Sequence, residues 1–491
     1  MGIIQKQSFY SSLTLGIGIL LGFFTSGYLL PNFFTEEQNG VLTLLNSYSL
    51  IYSQVAMMGL STVIIRFYPH IKDIHQHRPQ FLWFISLLGL AGFTLFLGFY
   101  YITKPFFKSV FEASPLFSQY YFLLIPWTFA VLFFYLYDAY STAIQKPVRG
   151  FILKDVVQRL LILGSIGAYI LYTLRFAEFM WAYSAAILLP TLFMAMLLIR
   201  EGHFHLGFDF IRSYRVHFKD MSKVAGYSFL LGLTYVGVTN VDAIMIERYL
   251  DLEAAGIYGR NMFFGVLVAL PYRILHKSAS GLLASQFKQH DLTAVKNIYY
   301  KSCLNQLIIG LFLFCMMWIN IHNIYQIIPK SYEAGKYVIF FLGLGNLINM
   351  AGGVNTAVIS YSPYFRWNTY FVVSLLLLII ITNMALIPLY GITGAALATA
   401  ISLLIYNAGM YVLLFAKYRF QPFNTRHLLV VIYAMLGLGA CAALPVISNY
   451  LLDLAVRCVV FASLFGTLVL LTRISPDMNG FLEFLLKRLK R

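Results

Sequence analysis

Long runs without a charged residue recur along the whole chain, and they constrain its fold more than any other feature. The main runs are Gln7–Thr35, Gln38–Ile65, Pro79–Thr103, Leu160–Leu174, Phe179–Ile199, Ser302–Pro329, Tyr337–Phe365, Trp367–Ala416 and His427–Leu452. A helix of about 20 apolar residues crosses the hydrocarbon core of a bilayer, and Trp367–Ala416 is long enough for two such helices. Charged residues make up 11% of the chain, against about 25% in soluble proteins. The sequence therefore predicts an all-α integral membrane protein.

The positions of the basic residues test how many helices cross the membrane, because cytoplasmic loops are enriched in lysine and arginine. Fourteen spans are predicted, at about 11–30, 41–65, 81–102, 120–141, 150–173, 179–199, 224–247, 256–275, 302–325, 336–360, 368–388, 391–415, 427–447 and 454–472. Of the 35 lysines and arginines, 26 then fall on one side, 6 on the other and 3 within helices. An error of one helix would scramble this asymmetry, so we expect both termini to be cytoplasmic.

A short motif occurs twice, and its repetition predicts the domain organisation. Residues Phe34–Val41 align with Leu250–Ile257, 216 positions later. A fold that restarts halfway along the chain is typical of transporters. We therefore predict two pseudo-symmetric six-helix lobes. The predicted boundaries are 1–199 for the N-terminal lobe, 200–223 for a cytoplasmic linker, 224–416 for the C-terminal lobe, 427–472 for helices thirteen and fourteen, and 473–491 for a basic amphipathic tail.

Several classes of function are disfavoured. The chain has no nucleophile, phosphate-loop or metal-protease motif, and its predicted outer loops are too short for a catalytic domain. Its four cysteines are scattered through apolar runs without metal-site spacing. The net charge of +16 is spread over short loops, which favours membrane topology over a nucleic-acid partner. We predict a protein that is not an enzyme and has no catalytic residue, metal or cofactor.

Ionisable residues inside the predicted helices are the strongest functional signal. Such residues are costly in hydrocarbon, so they usually face a wet interior or pair with one another. The set consists of Asp138, Arg159, Asp242, Glu247 and Arg260. On a functional interpretation the arginines line a central cavity and attract an anionic headgroup, for which phosphate is the obvious candidate. The acids would then couple transport to a proton or sodium gradient, with Asp242 as the foremost candidate.

A structural interpretation of the same residues is open for each of them. Asp242 and Arg260 lie near the outer ends of consecutive helices and could form an ion pair that joins helices seven and eight. Arg159 has Asp155 four residues earlier, which allows a local pair on one helix face. Asp138 lies within a turn of the cytoplasmic end of helix four and could pair with a basic residue of the next loop.

Four segments resemble a known family. They are Pro388–Ser402, the hairpin from Asp242 to Gly256-Ile257-Tyr258, Ala284–Lys288 and the opening Gly2–Ser8. In order and spacing they resemble the polysaccharide-biosynthesis (O-antigen repeat-unit, Wzx-type) flippases of the multidrug/oligosaccharidyl-lipid/polysaccharide (MOP) exporter superfamily. The resemblance covers the whole chain, including the two extra C-terminal helices.

The resemblance implies a MATE-like fold of two lobes around a central cavity that opens alternately to each side. It also implies that the substrate is an undecaprenyl-diphosphate-linked oligosaccharide, moved across the bacterial inner membrane. Cavity cations of the family map here only onto Arg159 and Arg260. The implied partners are this lipid-linked oligosaccharide, membrane lipids, and a glycan polymerase or other assembly-pathway proteins, and we expect a monomer.

Four other functions would each require different features of the sequence. A MATE-type multidrug exporter would have twelve helices and an acidic cavity. A peptidoglycan-precursor flippase would carry a basic cluster early in the chain, whereas predicted helices one and two carry no charge. A membrane glycosyltransferase or polymerase would need a large outer loop. A scaffold of a glycan-assembly complex would not need the buried Asp242 or Arg260.

Overall fold

The computed structural model describes residues 16–71, 78–107, 114–207 and 218–480, together with Thr14 and Glu112, and it has no β-strand within these ranges. The predicted all-α fold class is confirmed. Three sequence segments discussed above lie outside the described residues: the motif at 2–8, positions 208–217 of the predicted linker, and positions 481–491 of the predicted tail.

Seventeen helices are numbered here within the described residues, leaving aside short 3-10 segments. They are α1 Gly16–Phe33, α2 Glu36–Met57, α3 Leu60–Ile71, α4 Arg78–Thr103, α5 Pro115–Ala143, α6 148–171, α7 Phe176–Arg200, α8 Phe218–Tyr249, α9 Leu252–Leu267, α10 Leu270–Lys288, α11 Leu292–Ile319, α12 Ile321–Ile327, α13 Lys336–Ala351, α14 Asn355–Tyr361, α15 Arg366–Tyr418, α16 Thr425–Ala442 and α17 Tyr450–Leu471. Helix α6 combines Val148–Phe151, a π-helical segment Ile152–Val157, and Gln158–Leu171.

A described helix lies at each of the fourteen predicted positions, and the number of membrane crossings stays a prediction. Ten of the described helices are long and apolar enough to cross a membrane, and α2 with α3 forms an eleventh span bent by 51°. Helix α15 is non-helical at Gly391, with φ 59° and ψ −141°, so it contains two spans, as predicted. At the two remaining predicted positions lie α6, with Arg159, and the interrupted pair α9–α10, with Arg260. The protein is therefore a multi-pass membrane protein.

The chain divides into two compact units, 1–259 and 260–491, and each is described by itself. In the first unit α2 is central and packs against α4, α5 and α8. Val41, Leu44 and Leu45 of α2 are completely buried in these contacts. In keeping with the orientation that the charge pattern predicts, the side where α2 begins is called outer below. The predicted lobe boundaries at 199 and 224 stay predictions.

In the second unit α11 is central and packs against α10, α13 and α16. Phe314 of α11 and Met350 of α13 belong to one apolar core with Phe461 and Phe465 of α17. This core places the two C-terminal helices, α16 and α17, in the same packed unit as α11. Close packing of apolar side chains, and not burial from water, holds helices together within a bilayer.

An ion pair in the first two turns of α17 binds this helix to α12 and to the C-terminal end of α16. Arg457 Nε donates to Asp453 Oδ2 at 2.6 Å, one turn away, and Arg457 Nη1 donates to the carbonyl oxygen of Cys441 at 2.7 Å. Asp453 also accepts from Asn323 Nδ2 at 2.7 Å and from the Ile447 amide at 3.1 Å. Because both charges are buried and fully hydrogen-bonded, this pair is structural.

We expect Arg457→Met to lower the free energy of unfolding by about 3–5 kcal/mol, because Asp453 would stay buried with its charge uncompensated. The double variant Asp453→Asn/Arg457→Met should recover much of that loss, since asparagine keeps an acceptor oxygen without the charge. Unfolding in detergent, followed by thermal or denaturant melts, measures both effects. A single variant as stable as the parent protein would show that the pair contributes nothing.

Candidate functional site

Three charged residues of α6 lie in or next to a segment of irregular helical geometry. Lys154 and Asp155 belong to the π-helical segment Ile152–Val157, and Arg159 follows it by two residues. A π segment inserts an extra residue into a helical turn and redirects the side chains around it, and such segments are frequent at functional sites. Helix α1 has a π-helical segment of its own, Phe23–Leu29.

Two glycines of α1 make room for the charged residues of α6. A Cβ atom placed on Gly18 would lie 2.8 Å from Cβ of Asp155, and one placed on Gly22 would lie 2.9 Å from Nη1 of Arg159. Any side chain at Gly22 would therefore displace the guanidinium. Gly22 thus borders a charged group of the neighbouring helix.

The Arg159 guanidinium is half-buried, and within the described part of the chain it has neither a hydrogen bond nor an ion pair. The local pair with Asp155 that the spacing allows is therefore not formed there. Arg457 provides the contrast, since its guanidinium donates to a carboxylate and to carbonyl oxygens. An arginine at membrane depth whose five N–H donors are unused is suited to bind a planar or tetrahedral anion.

A second cation of α6, Lys154, was not among the predicted site residues. Its Nζ donates to the Tyr135 hydroxyl of α5 at 2.7 Å and lies 3.9 Å from the centroid of that ring. A cation over a tyrosine face is held by the quadrupole of the ring. Lys154 falls near the predicted cytoplasmic end of helix five. The charge pattern therefore places it among the 26 basic residues of that side and not among the residues within helices.

Arg260 belongs to the second unit, where it is 8% exposed. The next residue, Asn261, is completely buried; its Nδ2 donates to the carbonyl oxygen of Tyr332 at 3.1 Å, and its Oδ1 accepts from the Tyr325 hydroxyl at 2.5 Å. These bonds hold Asn261 of α9 to Tyr325 of α12 and to Tyr332 in the segment between α12 and α13. The cavity role of Arg260 stays a prediction, as does its pairing with Asp242.

Both acids of α8 are buried within the first unit. Asp242 is 5% exposed, and its Oδ2 accepts from the Tyr258 hydroxyl at 2.6 Å. Glu247 is also 5% exposed, and its Oε1 accepts from the Ser114 hydroxyl at 3.2 Å. The other carboxylate oxygen of Glu247 has no hydrogen-bond partner among the described residues. Each acid thus accepts a hydrogen bond from a hydroxyl group, of Tyr258 in α9 or of Ser114 just before α5.

Asp138 lies near the C-terminal end of α5, against Gly150 of α6. A Cβ atom placed on Gly150 would lie 1.8 Å from Oδ1 of Asp138, so this carboxylate needs a glycine beside it. The basic residues of the following loop, Lys146 and Arg149, both donate to Glu201 just beyond α7, at 3.1 Å from Lys146 and at 2.8 Å from Arg149 Nη1. Ion coupling through Asp138, Asp242 or Glu247 stays a prediction.

Comparison with known proteins now bears on this geometry. No protein-family model and no curated protein matches the chain. Among solved structures, it is similar to the lipid II flippase MurJ in an inward closed conformation, with a TM-score of 0.74 and 14% identity over 94% of this chain and 99% of that chain. The chain shares the fold of this flippase.

Multidrug transporters share the fold as well. An inward-facing MATE family transporter of the MOP superfamily matches with a TM-score of 0.62 and 11% identity, covering 89% of this chain and 100% of that one. A MATE structure in complex with MaL6 matches with a TM-score of 0.54 and 13% identity over 90% and 98% of the two chains. The expected MATE-like fold is confirmed.

The ion pairs of Glu201 with Lys146 and Arg149 predict that the stability of the protein depends on pH. Hydrogen bonds from Arg149, and secondarily from Lys146, lower the pKa of Glu201 from the ordinary 4.5 to about 2. A carboxylate with a depressed pKa contributes stability that is present above its ordinary pKa and is lost as the pH falls towards the depressed value. We expect the difference in melting temperature between the parent protein and Glu201→Gln to be constant from pH 5 to 7 and to shrink below about pH 4.5. A difference independent of pH would refute this role.

Proposed function

We propose that this protein flips an undecaprenyl-diphosphate-linked oligosaccharide across the bacterial inner membrane by alternating access. The glycan would be an O-antigen, capsule or exopolysaccharide repeat unit, as the resemblance of the sequence suggests. The observation that carries the proposal is the half-buried guanidinium of Arg159, which has no partner among the described residues, inside a transporter fold. A lipid carrier places its diphosphate close to the hydrocarbon of the membrane, where the guanidinium of Arg159 can bind it.

The chemistry of Arg159 suits a diphosphate headgroup. Guanidinium and phosphate form paired, charge-assisted hydrogen bonds. Two unit charges about 4 Å apart interact by about 4 kcal/mol at an effective dielectric constant of 20. That energy corresponds to about a thousandfold in affinity. One arginine is therefore strong enough to select the headgroup and weak enough to release it on the other side.

The remaining parts of the proposal follow from the same mechanism. No covalent chemistry and no bound cofactor are needed, and the driving force would be a proton or sodium gradient sensed by Asp242, Glu247 or Asp138. The protein would act as a monomer in the inner membrane with both termini in the cytoplasm. It would receive its substrate from membrane lipids and pass it to a glycan polymerase or another assembly-pathway protein.

A second candidate is a flippase for a peptidoglycan precursor, which the similarity to a lipid II flippase favours. The described parts of α1 and α2 argue against it, because α1 has no charged residue and the charges of α2 are confined to its first turn, Glu36 and Glu37. A multidrug exporter is the third candidate. The MATE transporter matches its whole length to only 89% of this chain, in keeping with the two extra helices α16 and α17.

We expect Arg159→Gln to slow flipping at least about tenfold, because a single lost charge contact exceeds 1.4 kcal/mol. The measurement uses proteoliposomes with a fluorescent undecaprenyl-diphosphate oligosaccharide whose accessibility to an external reagent is followed in time. Arg175→Gln is the matched control, since it removes one positive charge from an exposed position at the start of α7. Flipping by folded Arg159→Gln at the parent rate would remove Arg159 from the substrate site.

Depletion of the protein in its own host identifies the substrate. We expect complete lipid-linked repeat units to accumulate on the cytoplasmic face of the inner membrane, while the surface glycan disappears. Accumulation of the peptidoglycan precursor with cell lysis would favour the second candidate. Unchanged lipid-linked pools with increased drug sensitivity would favour the exporter.

A further inference from the structure

Helices α2 and α9 cross at the outer side with their backbones in direct contact. A Cβ atom placed on Gly40 of α2 would lie 2.1 Å from the carbonyl oxygen of Leu252. One placed on Gly256 of α9 would lie 2.0 Å from the carbonyl oxygen of Glu36 and 2.8 Å from the Gly40 nitrogen. No other residue type fits either position without moving the helices apart.

This crossing is built from matching positions of the internal repeat. Glu36 and Leu252 are the first residues of their helices, and Gly40 and Gly256 follow four residues later in each. Both pairs have the 216-residue offset that relates the two copies of the motif. Each glycine contacts the first turn of the other helix, so the contact is pseudo-symmetric. The sequence repeat thus marks the two surfaces that meet.

Two further contacts accompany the outer crossing. The Ser114 hydroxyl donates to the buried Glu247 carboxylate, which comes from the last turn of α8, immediately before α9. A Cβ atom placed on Gly259 would lie 2.4 Å from Oγ1 of Thr43, and these two residues again have the 216-residue offset. The outer end of the α8–α9 hairpin is therefore held against α2 and the start of α5.

A second backbone contact joins the α2–α3 bend to α8, at the end of α2 opposite to the outer crossing. Gly59, at the bend between α2 and α3, has φ 77°. A Cβ atom placed on it would lie 2.1 Å from the carbonyl oxygen of Ala225 and 2.8 Å from the Phe229 nitrogen, both in the first half of α8. Between the two ends, Gly232 of α8 faces the Gln54 side chain of α2. Helix α8 therefore runs along the length of α2.

We propose that the Gly40–Gly256 crossing is the outer gate and the Gly59–Ala225 contact is the inner gate of this transporter. The inference rests on the alternating-access function proposed above and assigns its two gates to named contacts. An outward-open state has to separate the first pair, and an inward-open state the second. Because each closed contact has no space for a side chain, a larger residue at one glycine disfavours closure at that end alone. It thereby shifts the population towards the state open on that side.

Distances between pairs of spin labels, measured on the full chain by double electron–electron resonance, test this assignment without any substrate. Spin labels at Glu37 and Glu253, exposed residues beside the outer crossing, report the outer end. Labels at Arg66 and Lys223, exposed residues beyond the inner contact, report the inner end. The native cysteines are replaced by alanine in this background. Gly256→Val should add a longer-distance population at the outer pair, at least about tenfold enriched over the parent protein, and leave the inner pair unchanged.

Gly59→Val should have the opposite effect, with a longer-distance population at the inner pair only. Two controls separate gating from ordinary damage. Gly98→Val introduces the same side chain into a transmembrane helix where nothing lies within 4 Å. Gly202→Val imposes the same strain of a positive φ, 74°, where nothing lies within 4 Å. Both controls should leave both distance distributions at the parent value.

The outcomes are distinct. If folded Gly256→Val keeps the parent distribution at the outer pair, or if both gate variants lengthen both pairs alike, the assignment is wrong. Should Gly256→Val fail to fold, bifunctional thiol cross-linking of Glu37→Cys/Glu253→Cys replaces it. Cross-linked protein should lose flipping at least about tenfold and regain it on cleavage of the linker, and undiminished flipping would overturn the outer gate. A parent protein that flips no lipid-linked oligosaccharide refutes the proposed function, while the label distances still decide the gates.

Discussion

Hydrocarbon offers no hydrogen bonds to a polypeptide, and the rest of this structure depends on that constraint. Each backbone N–H and C=O group at membrane depth must be satisfied within the protein, which a helix does along its own length. The chain is accordingly helical in every span that the described residues contain. Helix α15 is broken at Gly391, where φ and ψ leave the helical region and the chain passes from one predicted span to the next.

The same constraint makes each buried charge informative, because an ion at membrane depth needs either a partner or a ligand. Arg457 and Arg159 represent the two cases. Arg457 satisfies its donors with Asp453 and with carbonyl oxygens, and so fastens α17. Arg159 lies beside Gly22 between two π-helical segments and keeps its donors available within the described residues. The first arginine stabilises the fold, whereas the second is the group that the proposed function assigns to an anionic headgroup.

Glycine has a corresponding role in the helix contacts of the first unit. At Gly40, Gly256 and Gly59 the absence of a Cβ atom lets two backbones touch, and contact between backbones can form and separate without side chains having to interlock. Helices that must part during a transport cycle are well served by such contacts. The internal repeat explains why Gly40 and Gly256 are equivalent positions of α2 and α9. When two copies of one segment pack against each other, one small residue in the motif supplies both sides of the crossing.

The fold class and the split of Trp367–Ala416 followed from the amino-acid sequence alone, because the apolar runs and the distribution of basic residues reflect the bilayer directly. The sequence also indicated which charges were unusual, including Arg159, Asp242 and Glu247. What those charges contact is visible only in the folded chain. Arg159 and Arg457 are alike as single arginines in apolar runs, each with an aspartate four residues earlier. One pair forms and the other does not, because side-chain partners are set by helices distant in sequence, and neither the π-helical segments nor the glycine crossings have a periodicity that reveals them.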